Sequence, residues 1–365
     1  MIQGQGIEGY FFQILQKSVG KEVNLNFSLT EEQWHSLFEI TKKQSLVGLI
    51  FNSLNDVSAK CGNPPLSLLY EWIGLSEQIR QQNHSIDRCC KELTEWFSEK
   101  GYPSSILKGQ GAARLYPEPE ARQPGDIDIW VDGSRDDIVQ KMREHDINVT
   151  YVDYVNCHAS FYDDVEVEVH FRPTWMFNPF VNKKVQKWIK ENRVEQMNHY
   201  DSAIGFPYPS VPFNLVFSLI HIYRHVFFEG IGLRQITDYY FILNHSSKKE
   251  RGGAMCKLED FGIAKFAAAV MYVLKRTFNI EDKLMLCPPN VSEGEFLLRE
   301  IMRGGNFGKY DDRNIYVSDT QRWKRGYYNL KRNLRFIVRY PGEVMFIPLW
   351  KVWHWCWRKK MGYLK

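Results

Sequence analysis

Apolar positions in the first hundred residues recur with the helical period. Thr30-Glu31-Glu32-Gln33 reads as a capping box, and Trp34, Leu37, Phe38, Thr41 and Ser45 follow along one helix face. Pro64-Pro65 opens a second pattern, which Leu69, Trp72, Ile73, Ile79, Ile86, Leu93 and Phe97 carry to Gly101. The period then changes. Ser105 to Lys108 reads as a strand, and Gly111 to Tyr116 as a short helix stopped by Pro117 and Pro119. Gly125-Asp126-Ile127-Asp128-Ile129-Trp130-Val131 reads as a short buried strand. A helix after Ser134 shows Ile138, Val139 and Met142 on one face, and three more strand segments end at Pro173. From about residue 180 the helical period returns. This order predicts an α+β protein with a small mixed β-sheet, helices on one side of it, and helical regions before and after. The expected divisions are an N-terminal helical region at 1–100, an α/β core at 101–175, a C-terminal helical region at 176–320 and a basic aromatic tail at 321–365.

The alternation of the buried strand sends Asp126 and Asp128 to the same face. Paired carboxylates away from water repel, and a divalent cation removes that cost. Hard, oxygen-seeking Mg²⁺ suits such a pair where the substrate carries phosphates. A two-metal site needs a third carboxylate. Val165-Glu166-Val167-Glu168-Val169-His170-Phe171 alternates strictly, with Glu166, Glu168 and His170 opposite the apolar face. If the two strands are neighbours, Glu166 or Glu168 completes the set. The plainer reading of the second segment is an amphipathic strand with a solvated acidic face. On the first reading, Asp128→Asn abolishes turnover; in the metal-free protein it relieves repulsion and raises the melting temperature.

Lys108-Gly109-Gln110-Gly111 lies just upstream. A strand ending at Lys108 and a helix starting at the glycines would aim free N–H groups at a phosphate, with Lys108 adding charge. Arg122 and Arg172 flank the carboxylates in sequence; each is either a phosphate ligand or a partner for a nearby acidic side chain. His170 either orients Glu168 and meets substrate or is a satisfied half-buried histidine.

Lys108-Gly109, Leu115-Tyr116-Pro117, Arg122, the Gly125–Val131 strand and Glu168-Val169-His170-Phe171-Arg172, in that order, resemble the uncharacterised bacterial nucleotidyltransferase family of the polymerase-beta superfamily. His221, His225, Arg234 and Asp238 resemble that family's helical C-terminal part, and the resemblance covers roughly residues 30 to 245. The superfamily's usual loop is Gly-Gly or Gly-Ser; here Lys108-Gly109-Gln110 stands, farther from the first Asp. The resemblance implies transfer of a nucleoside monophosphate from an NTP to an unknown acceptor. Asp126, Asp128 and Glu168 would be both catalytic and metal-binding, with two Mg²⁺ ions, or Mn²⁺ in their place. Lys108, Gly109, Gln110 and Arg122 would bind the nucleotide. His170, His225, Arg234 and Asp238 would form the acceptor wall. The alternative is a catalytically inactive nucleotide-binding or interaction module on the same fold, motivated by the altered loop.

His221 and His225 are spaced i, i+4, and Glu229 continues their face. Ile222 stands where a zinc protease carries its Glu, so polar positions packed against the α/β core are the plainer reading. Gly230 and Gly232 join this helix to that of Arg234 and Asp238, which predicts a tight helical hairpin set against the Asp126–Asp128 strand.

Composition narrows the partners. At 44% hydrophobic and 25% charged residues, the chain is that of an ordinary folded protein. A net charge of +4 is too small to demand a nucleic acid. The seven cysteines are odd in number and contain no Cys-x-x-Cys pair, which fits a reducing cytoplasm. The stretch from Met1 to Gly9 lacks the basic and apolar regions of a signal peptide. In the tail, Trp350, Trp353, Trp355 and Trp357 interleave with Lys351, Arg358, Lys359 and Lys360. That mixture suits peripheral contact with an anionic membrane surface, or a terminal segment packed on the protein with a wet basic edge.

Overall fold

A computed structural model of the protein describes residues 6–313, 331 and 334–363. Its N-terminal part holds helices α1 (Ile7–Ser18), α2 (Glu31–Lys43), α3 (Val47–Phe51), α4 (Leu54–Cys61) and α5 (Leu66–Glu99). At α2 the capping box forms: the Thr30 hydroxyl accepts from the Gln33 N–H, and the Gln33 side chain accepts from the Thr30 N–H at 2.9 Å. The 34 residues of α5 form one continuous helix with two different partners. Its first half puts Leu68, Trp72 and Ile79 into a core shared with α1–α3. Its second half puts Ile86, Cys89, Cys90, Leu93 and Phe97 onto a β-sheet.

That sheet has five strands, β1 (Ser104–Ile106), β2 (Ile127–Val131), β3 (Asn148–Thr150), β4 (Asn156–Ser160) and β5 (Val167–His170), in the order β1-β2-β5-β4-β3. Only the β2–β5 pair is parallel. The apolar face of β2 and β5 (Ile127, Ile129, Val131, Val167 and Val169) is buried under α5 and α7 (Arg135–Glu144), which contributes Ile138, Val139 and Met142. The opposite face carries Asp128, Trp130, Glu168 and His170. The strand expected to reach Lys108 stops at Ile106, and Lys108 instead begins α6 (Lys108–Ala113). The reason is local: Leu107 still donates to Asp128 O at 2.8 Å, after which Lys108 (φ 42°) and Gly109 (φ 21°) turn the chain away from the sheet.

The C-terminal part holds α8 (Pro179–Asn198), α9 (Val211–Phe228), α10 (Leu233–Asn244), α11 (Lys248–Asp260), α12 (Ala264–Phe278), α13 (Val291–Gly304), α14 (Pro341–Val344) and α15 (Ile347–Lys360). Phe11, Trp34, Trp72, Phe217, Tyr239, Phe266 and Ile347 belong to one apolar cluster, so the helices before and after the sheet share a core. Among the described residues, only α9 is long and apolar enough, by length and composition, to cross a membrane. Most of its surface is packed inside the protein, against α10 and α11 among others. Its polar residues His221, Arg224 and His225 line a cavity instead. Part of the basic aromatic tail, including Trp323, lies outside the described residues.

Candidate active site

The parallel register of β2 and β5 sets Asp128 directly opposite Glu168, and Trp130 opposite His170. Side chains level on neighbouring strands and sharing a face meet. The Asp128, Glu168 and His170 donor atoms all lie within 4.8 Å of one another. His170 Nε2 is 2.7 Å from Asp128 Oδ1 and 3.3 Å from Glu168 Oε2. Lys108 Nζ reaches the same Asp128 Oδ1 at 2.6 Å. From β4, the Asn156 amide donates to Glu168 Oε2. Glu166, one pleat earlier, is exposed at the cavity edge.

The electrostatics of this cluster are uneven. Burial alone would raise the Asp128 carboxyl, but Lys108 and His170 outweigh it and hold Asp128 well below the usual carboxylate range. Burial alone would lower His170; its bonds to Asp128 and Glu168 push it up to about 9 instead, so it is an imidazolium at neutral pH. Lys108 is raised too, because Asp128, Glu168 and Asp126 outweigh its burial. Asp126 lacks such a partner. The neighbouring Asp128 charge, followed by burial, pushes it up to about 6. Repulsion between the two aspartates, expected for both, therefore falls on Asp126 alone. The expectation that Asp128→Asn raises the melting temperature is corrected accordingly, since that change would strand Lys108 and His170.

The cluster opens into a cavity of about 620 Å³. Lys108, Gly109, Arg122, Asp126, Asp128, Glu166, Glu168 and His170 line one end of it. From the helices, His221, His225, Arg234 and Asp238 line the same cavity. Arg234 Nη1 donates to Gln123 O at 3.1 Å and Pro124 O at 3.3 Å, which ties α10 to the segment entering β2. The His221 and His225 rings lie 4.2 Å apart, and burial holds both below the ordinary histidine range, so they are neutral.

Three residues singled out in sequence are occupied elsewhere. Arg122 makes a bidentate pair with Asp238, Nε to Oδ1 at 2.7 Å and Nη2 to Oδ2 at 2.8 Å, while Tyr116 donates to Oδ1 at 2.7 Å. Gln110 turns away from the cavity and donates to Asp87 at 2.6 Å. Arg172 donates to Tyr154 O at 2.7 Å and lies outside the cavity. Conversely, Asn156, Trp175, Arg224, Trp350 and His354 were not anticipated, and all five line it. Arg224 stands within the His221–His225 stretch, but its direction depends on where α9 sits. Nothing in the periodicity of α15 marks which of its aromatics face inward.

A sequence model of uncharacterised nucleotidyltransferases matches residues 30–279. The chain belongs to this nucleotidyltransferase family. No curated protein matches it. Among solved structures it is similar to an antigenic nucleotidyltransferase-like protein from Paracoccidioides brasiliensis, at 12% identity, over 57% of this chain and 96% of that one, with a TM-score of 0.35. The residues that the family model spans include every side chain named in this site except Trp350 and His354 of α15.

Proposed function

We propose that the protein is a metal-dependent nucleotidyltransferase that moves a nucleoside monophosphate from an NTP to a second substrate. The observation that carries this reading is the pairing of Asp128 with Glu168 across the parallel strands, in a cavity that also receives Lys108, Gly109 and Asp126. The donor set fits a hard divalent cation. It is rich in carboxylate oxygens, and the proton affinity of Asp126 marks negative charge that the protein itself leaves unbalanced. Asp126 and Asp128 would hold two Mg²⁺ ions, with Glu168 joining the catalytic one; Mn²⁺ would serve with the same donors. When bound, the metal supplies activation of the acceptor hydroxyl and neutralisation of the leaving pyrophosphate.

The chain's own residues do the rest. Lys108 keeps a positive charge at the carboxylates, placed to meet a phosphate oxygen. Lys108 and Gly109, both at positive φ, bring the backbone of this turn to the cavity. Asn156 and His170 hold the Glu168 carboxylate in orientation. Arg122, engaged by Asp238, braces α10 against the sheet domain rather than gripping phosphate. The test is Mg²⁺-dependent pyrophosphate release from labelled NTPs by the wild type, abolished in Asp128→Asn and in Glu168→Gln. NTP binding without any release would favour the second reading, an inactive nucleotide-binding module. That reading draws on the engagement of Asp128 Oδ1 by both Lys108 and His170.

We also infer that the outer face of α15 and the turn before it rests on an anionic membrane surface. Met345, Leu349, Val352 and Trp355 are exposed there, Lys359 and Lys360 close the helix, and no Asp or Glu occurs from Val344 to Lys365. The protein should sediment with phosphatidylglycerol vesicles but not phosphatidylcholine vesicles, and Leu349→Glu with Val352→Glu should release it. A concentration-dependent dimer that the same pair of changes dissolves would refute the membrane reading.

A further inference from the structure

The helical wall of the cavity carries a cation that pairs with no described carboxylate, although Glu343, Asp153, Glu229 and Glu168 lie within electrostatic reach of it. Arg224 of α9 makes no hydrogen bond or ion pair with any described residue, and its Nε is buried without a partner. Its guanidinium lies 4.1 Å from the Trp175 ring centre. Trp175 stacks on Trp350 at 4.2 Å, and Trp350 stacks on His354 at 4.5 Å. His354 is 9% exposed, lines the cavity, and its Nε2 also lacks a partner. Trp175 and Trp350 thus stand between the two unpaired groups, with Arg224 at one end of the stack and His354 at the other.

We propose that Arg224, seated on Trp175, forms an anion site that binds a phosphate or carboxylate carried by the acceptor. The acceptor's role rests on the transferase reading; the anion site does not. Arginine keeps its charge in proteins, and a half-buried cation without a counter-ion at pairing distance is costly. Arg122 shows how this chain neutralises a buried guanidinium when the need is structural: Asp238 grips it from two sides. Arg224 receives no such group. Glu343 compensates it most among the surrounding carboxylates, yet its oxygens accept from the Phe177 and Asn178 N–H groups, and burial pushes it up to about 7. Burial accordingly pulls Arg224 down to about 10. Trp175 holds the guanidinium over its ring, and a guanidinium fork matches two oxygens of one oxyanion. Lys108 already holds a positive charge at the Asp128 carboxylate for the nucleotide's phosphates, so the anion at Arg224 is assigned to the second substrate.

The test uses the full chain and two probes, inorganic phosphate and Mg²⁺ with a non-hydrolysable NTP analogue, each titrated calorimetrically. Arg224→Gln should weaken phosphate at least tenfold and leave the analogue within twofold; Arg224→Lys should recover phosphate in part. Lys108→Gln should do the reverse, weakening the analogue and sparing phosphate. Phosphate affinity unchanged in Arg224→Gln would overturn the proposal. Loss of the analogue in Arg224→Gln would overturn the assignment to the acceptor. Should the wild type ignore the analogue while Arg224→Gln still loses phosphate, the transferase reading fails and the anion site stands. Glycerol phosphate and phosphatidylglycerol vesicles, each competed against phosphate, tell a soluble acceptor from a lipid-borne one. Either competition supports the site, and competition by neither counts against it.

Discussion

The two ends of the cavity handle buried charge in opposite ways. At the sheet end, Asp128 and Glu168 are interleaved with Lys108 and His170 at hydrogen-bonding distance. Beside them, Arg122 is clasped by Asp238. On the helical side, Arg224 has an aromatic ring beneath it and no described carboxylate at pairing distance. The contrast separates two uses of a buried ion. A charge that is paired in place holds elements together and resists removal; an unpaired one adds little to the fold and is available to a ligand. Asp126 belongs with the second kind although it sits among the first, since its carboxyl is pushed up rather than held down.

The largest effect expected from breaking this contrast is on turnover. Losing a metal ligand at a phosphoryl-transfer centre costs several kcal/mol of transition-state stabilisation, so Asp128→Asn should reduce pyrophosphate release by roughly a thousandfold or more. Steady-state release with each labelled NTP measures it, and activity within a few-fold of wild type would remove Asp128 from the metal site.

Stability comes next and tests the pairing directly. Breaking a buried pair by removing one partner costs about 3–5 kcal/mol, the loss expected for Arg122→Gln and for Asp128→Asn. Asp126→Asn should leave stability unchanged or raise it, and Arg224→Gln should stay within about 1 kcal/mol of wild type. Urea melts of the four metal-free variants decide the matter. Equal losses for Arg122→Gln and Arg224→Gln would erase the distinction between the two ends.

The smallest effect concerns pH at the helical end. Glu343 is 1% exposed, with its carboxyl at about 7 in the folded protein against an ordinary value of 4.5. The folded state therefore binds a proton more tightly than the unfolded chain across that window. Stability from this group is full below about 4.5 and falls as pH rises towards 7, after which it is flat. Relative to Glu343→Gln, the wild type should lose on the order of 3 kcal/mol between pH 4.5 and 8. Denaturant midpoints for both proteins at pH 5, 6 and 8 give the difference. A difference that grows with pH would mean that Arg224 is in fact neutralised by Glu343, and the contrast would fail at its centre.

Much of the sheet end was legible in the chain itself. Strict alternation in Val165–Phe171 and in Ile127–Val131 assigns each side chain to a face, because successive residues of a strand point in opposite directions. The capping box at Thr30 and the paired prolines before α5 marked helix starts by groups that act on their own backbone. What alternation left open was register. Glu166 and Glu168 share a face, and only the hydrogen-bonded pairing of β2 with β5 set Glu168 level with Asp128. Register also brought His170 between the carboxylates, where the sequence had offered it Glu168 but not Asp128 as a partner.

The helical end was decided by tertiary structure almost throughout. Arg122 and Asp238 are 116 residues apart, and no local period relates them. Trp175, Arg224, Trp350 and His354 come from a loop and two helices distant in sequence. The chain determined that these helices exist and which residues are apolar, since the helical period and the caps are local properties. It could not determine which polar side chain finds a counter-ion and which is left bare. That depends on how whole helices pack, and a charge separated from water by packing keeps only the partners that packing brings to it.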